Sequence, residues 1–179
     1  MIYTMEYKSP VGILTVACNE NAVVGLWIAG QKYFGGSLRE EPVPAKQHPI
    51  LGHAVHWLDR YFAGKRPSPS ELPLAPTGQE FRQIVWKLLR EIPYGEVTTY
   101  KKIAQEIAAI RGLQTMSAQA IGGAVGHNPI SIIIPCHRVV GTNGSLTGYA
   151  AGIPVKQKLL TLEGVDISRF FVPNPGLTP

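Results

Sequence analysis

An α+β fold is predicted by three features of the sequence. Short apolar segments separated by turn residues fill residues 1–30, a proline-rich stretch covers residues 65–78, and amphipathic stripes at helical spacing recur beyond it, two of them around a glycine-containing turn. The first part reads as a small antiparallel sheet with one helix, and the second as a helix-turn-helix domain.

The apolar segments Ile2–Tyr7, Ile13–Cys18 and Val23–Ile28 are divided by Ser9-Pro10-Val11-Gly12 and by Asn19-Glu20-Asn21, and form a β-meander. A polar stretch runs from Gly35 to Pro49. Ile50, Leu51, Ala54, Val55, Leu58, Tyr61 and Phe62 then fall on one helical face, and Gly64 stops that helix. Four prolines between residues 65 and 78 cannot sit inside a helix, which makes this segment a linker. Thr77-x-x-Glu80 fits a capping box. Phe81, Ile84, Val85, Leu88, Leu89 and Ile92 make the next apolar stripe, ended by Pro93-Tyr94-Gly95. Ile103, Ala104, Ile107 and Ala108 mark a short helix, Arg111-Gly112 a break, and Ser117 to Val125 a third helix. Ile130–Ile134 reads as a buried strand or extended segment, and a last helix runs from about Val155, after Pro154, to Glu163, with Gly164 closing it. The chain divides into a domain over residues 1–75, a domain over 76–168 and a loose tail over 169–179.

No apolar run approaches the ~20 residues of a membrane span. The N-terminus MIYTMEYKSP carries no signal-like core, so a cytoplasmic protein is expected. Cys18 and Cys136 form no CxxC pair, which argues against a disulfide framework and for a reducing compartment. Residues 1–78 hold seven Lys/Arg and six Asp/Glu, while residues 79–179 hold ten and six. The basic excess lies in the second half; it permits a polyanion partner and equally fits ordinary solubility charge. No dimerisation signal is present, and a monomer is expected.

The chemistry-bearing segment is Pro135-Cys136-His137-Arg138. Proline fixes its own φ and biases its neighbour, so the cysteine should sit at a rigid bend. A thiol of ordinary pKa (~8.5) is only a few per cent thiolate at neutral pH, and a nearby His or Arg raises that fraction. On an extended chain His137 and the thiol would face opposite ways, so contact requires a turn. Spacing alone leaves the matter open: a lone apolar-flanked cysteine reads first as a small core hydrophobe, and His137 as a satisfied core histidine.

Pro135-Cys136-His137-Arg138-Val139 resembles the active-site signature of the O6-alkylguanine-DNA alkyltransferases. It sits within a longer matching pattern: Pro93-Tyr94-Gly95-Glu96-Val97, Ile121-Gly122-Gly123-Ala124, Asn128-Pro129, Gly148-Tyr149 and Glu163-Gly164. The resemblance is strong over residues 79–165 and weak over 1–75. It implies a ribonuclease-H-like first domain and a winged-helix-like second domain. It also implies single-turnover repair: the alkyl group of O6-methylguanine, and of O4-methylthymine, in double-stranded DNA passes to Cys136 and inactivates the protein. In that scheme His137 takes the thiol proton through a water and Glu163 orients His137. Asn128 ties the helix-turn-helix to the active-site segment, and Tyr100 donates to the leaving base. Tyr149 walls the pocket, and backbone groups at Val139 and Ala150 read the guanine edges. No cofactor is needed. Some members carry a structural zinc, but its ligand set is not evident here, and His48, His53 and His56 read as surface residues.

The target base must leave the helix, at a cost of a few kcal/mol. The resemblance places the 117–125 helix in the minor groove, with Ala118, Gln119, Ala120, Gly122 and Gly123 at the DNA and Arg138 beside them; close helix–helix packing is the competing reason for such small residues. Gln119 stands where the family usually has an Arg finger, which predicts weaker flipping. Lys101, Lys102, Arg82, Lys87, Arg111, Lys156 and Lys158 are candidate phosphate contacts. Three other classes are weighed against transfer. A lesion-binding protein without transfer lacks the reactive cysteine, a thiol hydrolase would turn over, and a transcription factor would carry polar base-reading side chains on its recognition helix.

Overall fold

In the computed structural model, which describes residues 1–173, strands β1 (Tyr3–Ser9), β2 (Gly12–Cys18) and β3 (Val23–Ile28) form the expected meander. The pairs β1–β2 and β2–β3 are antiparallel, with an irregularity at Ala17/Cys18. A two-residue strand β4 (Val43–Pro44) lies inside the stretch read as polar loop. It adds in parallel to the outer edge of β1, giving the order β3-β2-β1-β4. Val43 donates to Ile2 O (2.8 Å) and Ala45 to Thr4 O (2.9 Å), so Pro44 falls where an edge strand needs no N–H.

Helix α1 (Pro49–Phe62) packs Leu51, Ala54, Trp57, Leu58 and Tyr61 against this sheet. His48 is half-buried rather than a free surface residue: its Nδ1 accepts the Ile50 N–H (3.2 Å) at the N-cap and lies 3.4 Å from Cys18 Sγ. His53 and His56 are exposed. The 65–78 stretch is tacked down, not loose: Val23 donates to Pro73 O and Ala75 to Val23 O, both at 2.8 Å. A capping box does form, but at Ser68 and Glu71, around a short 3-10 turn; α2 (Glu80–Leu89) begins at Gln79 without a side-chain cap. Both segments match the pattern, and Pro69 in the first turn favours the earlier one.

In the second half, α2, α3 (Tyr100–Ile110) and α4 (Ala118–Gly126) pack on one another, with residues 111–117 as the turn between the last two. Trp86, fully buried, donates its indole N–H to Ala124 O (2.8 Å) and so ties α2 to α4. Two-residue strands β5 (Thr98–Thr99) and β6 (Val139–Val140) pair in parallel. Helix α5 (Ile153–Leu162) starts earlier than expected and takes Pro154 into its first turn, where no N–H is needed.

Residues 130–134 do not form a regular strand. Ile130 makes one bridge to Leu26, and the chain then coils tightly, with Ile133 donating to Ser131 O (2.8 Å), Ile134 to Ile130 O (3.0 Å) and Ile132 at φ +70°. All five residues are buried, and they dock on β3, which is itself buried throughout. The segment after Arg169 is likewise held as far as it is described: Leu146 donates to Phe171 O (2.9 Å) and Phe171 to Gly144 O (3.0 Å). The rest of the expected loose tail, 174–179, lies outside the described residues. No helix among them is long and apolar enough to cross a membrane.

Replacing Trp86 by Phe removes the bond to the buried Ala124 carbonyl and leaves a small cavity. Urea unfolding should show a loss of about 2–4 kcal/mol; a loss under ~0.5 kcal/mol would mean that the α2–α4 tie contributes little.

Candidate active site

The bend at Pro135 is real. Residues Cys136–Arg138 form a single 3-10 turn, with Arg138 donating to Pro135 O (3.0 Å) and Cys136 to Ile134 O (2.8 Å). The turn is held from behind by Asn128, whose Nδ2 donates to Ile134 O (2.7 Å) and whose Oδ1 accepts from Ile130 N (3.0 Å). One buried amide thus clamps both ends of the coiled 130–134 segment at the C-terminal end of α4.

The turn sends His137 and Arg138 inward onto Glu163, the residue that caps α5. Each carboxylate oxygen is shared. Oε1 accepts from Arg138 Nε (2.7 Å) and from the Gly95 N–H (3.1 Å). Oε2 accepts from His137 Nε2 (2.5 Å), from the Tyr61 hydroxyl (2.6 Å) and from a terminal Arg138 nitrogen (3.1 Å). His137 is fully buried and Glu163 is 3% exposed. Gly95 sits at φ +80°, and a side chain there would press within 3.0 Å of Glu163 O, so the close approach that delivers its N–H needs glycine.

Burial works against the Glu163 carboxylate, but the hydrogen bonds from His137 and Arg138 and the Arg138 charge outweigh it and hold the group well below the ordinary carboxylate range. For His137, burial is the larger influence and lowers its basicity, against the pull of Glu163. The imidazole is therefore neutral at neutral pH. With Nε2–H donated to the carboxylate, the lone pair stays on Nδ1, which is buried and has no partner among the described residues. This is the geometry of a base whose far side is fixed by a third group.

Burial pushes the Cys136 thiol up, while the Asn128 side chain and the Lys156 charge pull it down. The resting thiol is protonated. Lys156 is fully buried; its ammonium donates to Val139 O (2.5 Å) and Thr147 O (3.0 Å), and burial lowers its pKa to about 8. Tyr100, the first residue of α3, donates to Thr147 O (3.1 Å). Gly148, at φ +73°, lets that hydroxyl approach to 3.1 Å of where a side chain would start. Tyr149 is buried, and its hydroxyl has no partner among the described residues. Burial holds both phenols protonated.

Cys136, His137, Glu163, Asn128, Tyr100 and Tyr149 thus gather around one buried turn. Other expected site residues need correction. Arg138 is not placed at the DNA: it is 5% exposed, its guanidinium is spent on Glu163, and its remaining nitrogen donates to Ile92 O (2.6 Å). Lys156, expected at a phosphate, is buried for the same kind of reason. At the two backbone positions expected to read guanine, Val139 O accepts from Lys156 and Ala150 O from the Lys32 N–H (3.0 Å), which orients both carbonyls; a carbonyl oxygen has two lone pairs. Tyr61 and Lys156 were not read from the sequence as part of this centre, because nothing local to either signals a carboxylate or a thiol elsewhere in the chain.

The outer face of α4 carries Ala118, Gln119, Ala120 and Gly123 exposed and Gly122 half-buried, while Ile121, Ala124 and Val125 face the core. A Cβ added at Gly122 or Gly123 would meet nothing within 4 Å among the described residues. Intramolecular helix packing therefore does not account for those small residues. Lys87, Lys101, Lys102, Arg111 and Lys158 are exposed and Arg82 half-buried.

Comparison with known proteins bears on both halves of the chain. Residues 80–165 match the family model "6-O-methylguanine DNA methyltransferase, DNA binding domain", and residues 1–76 match "6-O-methylguanine DNA methyltransferase, ribonuclease-like domain". A methylated-DNA–protein-cysteine methyltransferase of Methanosarcina barkeri is 43% identical over 159 residues, covering 87% of this chain and 93% of that protein. A protein of the same name from Mycobacterium tuberculosis is 41% identical over 163 residues, covering 91% and 93%. The crystal structure of Mycobacterium tuberculosis OGT in complex with DNA superposes with a TM-score of 0.75 at 40% identity, covering 94% of each chain.

Both shifts at the His137–Glu163 pair have one sign. Each folded-state pKa lies below its unfolded value, so each contribution to stability is present above the unfolded pKa and lost as pH falls. The melting temperature should hold near neutrality, decline below about pH 6.5 and decline more steeply below about pH 4.5. Glu163→Gln should flatten the steeper limb and cost about 3–5 kcal/mol at neutral pH by stranding the Arg138 charge. An unchanged melting profile in that variant would contradict the assignment.

Proposed function

The chain belongs to the 6-O-methylguanine DNA methyltransferase family, and from that membership we infer that it repairs DNA by direct reversal, moving the alkyl group of an O6-alkylated guanine onto its own Cys136. The observation that carries the residue assignment is the placement of the His137 ring. Its Nε2–H is fixed on Glu163, and its Nδ1 lone pair is left without a partner among the described residues, in the turn that holds Cys136.

The thiol proton passes through a water to His137 Nδ1, and Glu163 stabilises the imidazolium that results. The thiolate attacks the alkyl carbon. A sulfur–carbon bond forms, the carbon–O6 bond breaks, and its electron pair returns to the guanine, which takes up one proton from water as the imidazolium gives one back. Tyr100 is the hydrogen-bond donor to that leaving base, once its hydroxyl turns from the Thr147 carbonyl. Tyr149 walls the alkyl pocket. The backbone at Val139 and Ala150 reads the guanine edges, with Lys156 holding Val139 in place. The thioether has no easy leaving group, so each molecule acts once. No cofactor enters the scheme. O4-methylthymine is the second substrate proposed.

Double-stranded DNA is the partner, bound through the small-residue face of α4 at Ala118, Gln119, Ala120, Gly122 and Gly123, with exposed lysines and Arg111 on the phosphates. We further propose a boundary between a domain of residues 1–75 and one of 76–168, action as a monomer, and a cytoplasmic setting, where Cys136 stays reduced.

Incubation with excess duplex containing O6-methylguanine should add one methyl to the Cys136 peptide, read by intact mass and peptide mapping, and restore guanine in the DNA. Cys136→Ala should keep lesion binding and lose transfer entirely. Preferential binding of the lesion by the unaltered protein with no mass change would establish a recognition protein instead. Because Gln119 is exposed and uncharged, Gln119→Arg should strengthen lesion binding and speed single-turnover transfer, by roughly 1 kcal/mol in each. No gain in either quantity would show that this position does not limit base flipping.

A further inference from the structure

We propose that Tyr61, a residue of the first domain, is a positioning residue for the transfer step: its hydroxyl shares Glu163 Oε2 with His137, and so sets the orientation and basicity of the ring that receives the Cys136 proton. This rests on the transfer reading above.

Tyr61 lies near the end of α1 and is fully buried. Its ring has one available orientation. Trp57 stacks on it (5.6 Å between centroids, 7° between planes), and Phe62 and Tyr94 meet it edge-on at 5.0 and 5.8 Å. The hydroxyl is thereby aimed at Oε2 from 2.6 Å, across 102 residues of sequence. That oxygen takes three donors, and each draws charge from the others. Removing the neutral phenol O–H leaves more carboxylate charge for His137 Nε2–H, and the imidazole becomes the stronger base.

The groups that bear on His137 come from three elements. Glu163 and Lys156 belong to α5 and its cap, Cys136 and Arg138 to the ring's own turn, and Tyr61 to α1; Tyr94 and Tyr149 lie further out, against Glu163. Arg138 and Lys156 lower the basicity of the ring and Glu163 raises it. Tyr61 moderates Glu163 and is the one group among them supplied by the first domain. That domain therefore reaches into the reaction centre instead of only supporting it.

The test is the pH profile of single-turnover methyl transfer from an O6-methylguanine duplex, for the unaltered protein, Tyr61→Phe and Tyr7→Phe. The Tyr7 variant removes the other hydroxyl that joins a tyrosine of this domain to a carboxylate, on an exposed pair with Asp59. Tyr61→Phe should move the acid limb to higher pH by about half a unit, roughly threefold slower at the foot of the limb, with the alkaline plateau preserved. Tyr7→Phe should overlay the unaltered protein. If Tyr61→Phe does not fold, 3-fluorotyrosine at position 61, a stronger donor, should move the limb the other way. Superimposable profiles, or a loss equal at every pH, overturn this inference alone. An unaltered protein that transfers nothing at any pH overturns the transfer reading and this inference with it.

Discussion

The Glu163 carboxylate is the point on which the active centre depends. A buried carboxylate is tolerable only when its charge is matched and its lone pairs are used. Here Arg138 supplies the charge, and four groups supply five hydrogen bonds from α1, the Gly95 loop and the 3-10 turn. The same group that fixes the His137 tautomer therefore draws the two halves of the chain together. Loss of Glu163 would leave a guanidinium, an imidazole and a phenol buried without their common acceptor, which makes the architecture and the chemistry inseparable at this position.

The reacting side of the turn is built on the opposite principle. Cys136 is kept in its neutral form by burial, within reach of groups that favour the thiolate: the Asn128 amide, the Lys156 ammonium and the turn's own backbone. A thiol consumed in its only reaction gains from being unreactive until a base is seated beside it. Asn128 connects the two requirements. It closes the C-terminal end of α4, where Gly122 and Gly123 have open space beside them among the described residues, and it also clamps the segment that leads into Cys136. Whatever lies against α4 is thus one side chain away from the nucleophile.

Much of this was legible in the sequence, and the misses have physical causes. The meander, α1, α2 and the two helices of the helix-turn-helix follow from local period and punctuation, which are properties of neighbouring residues. Ile130–Ile134 carries the composition of a strand but coils, because Asn128 binds both its ends and tertiary contacts override propensity. Two-residue β4 lies below the length at which alternation can be seen. Arg138 and Lys156 looked like DNA contacts because they are cations in the basic half. Their actual partners, a carboxylate 25 residues downstream and a carbonyl 17 residues upstream, leave no trace at either position. Tyr61 is the extreme case: its place on an apolar helical face predicted burial correctly and gave no hint that its hydroxyl ends on Glu163.

The central claim is that burial keeps His137 neutral while the Glu163 carboxylate fixes its tautomer, with the proton on Nε2 and the lone pair on Nδ1. Nitrogen NMR of the ring in protein labelled at histidine measures this directly, without DNA and without turnover. The account predicts a neutral imidazole at neutral pH, protonated at Nε2, with Nδ1 showing the shift of an unprotonated nitrogen, and loss of that tautomer preference in Glu163→Gln. An imidazolium at neutral pH, or a ring protonated at Nδ1, would contradict it.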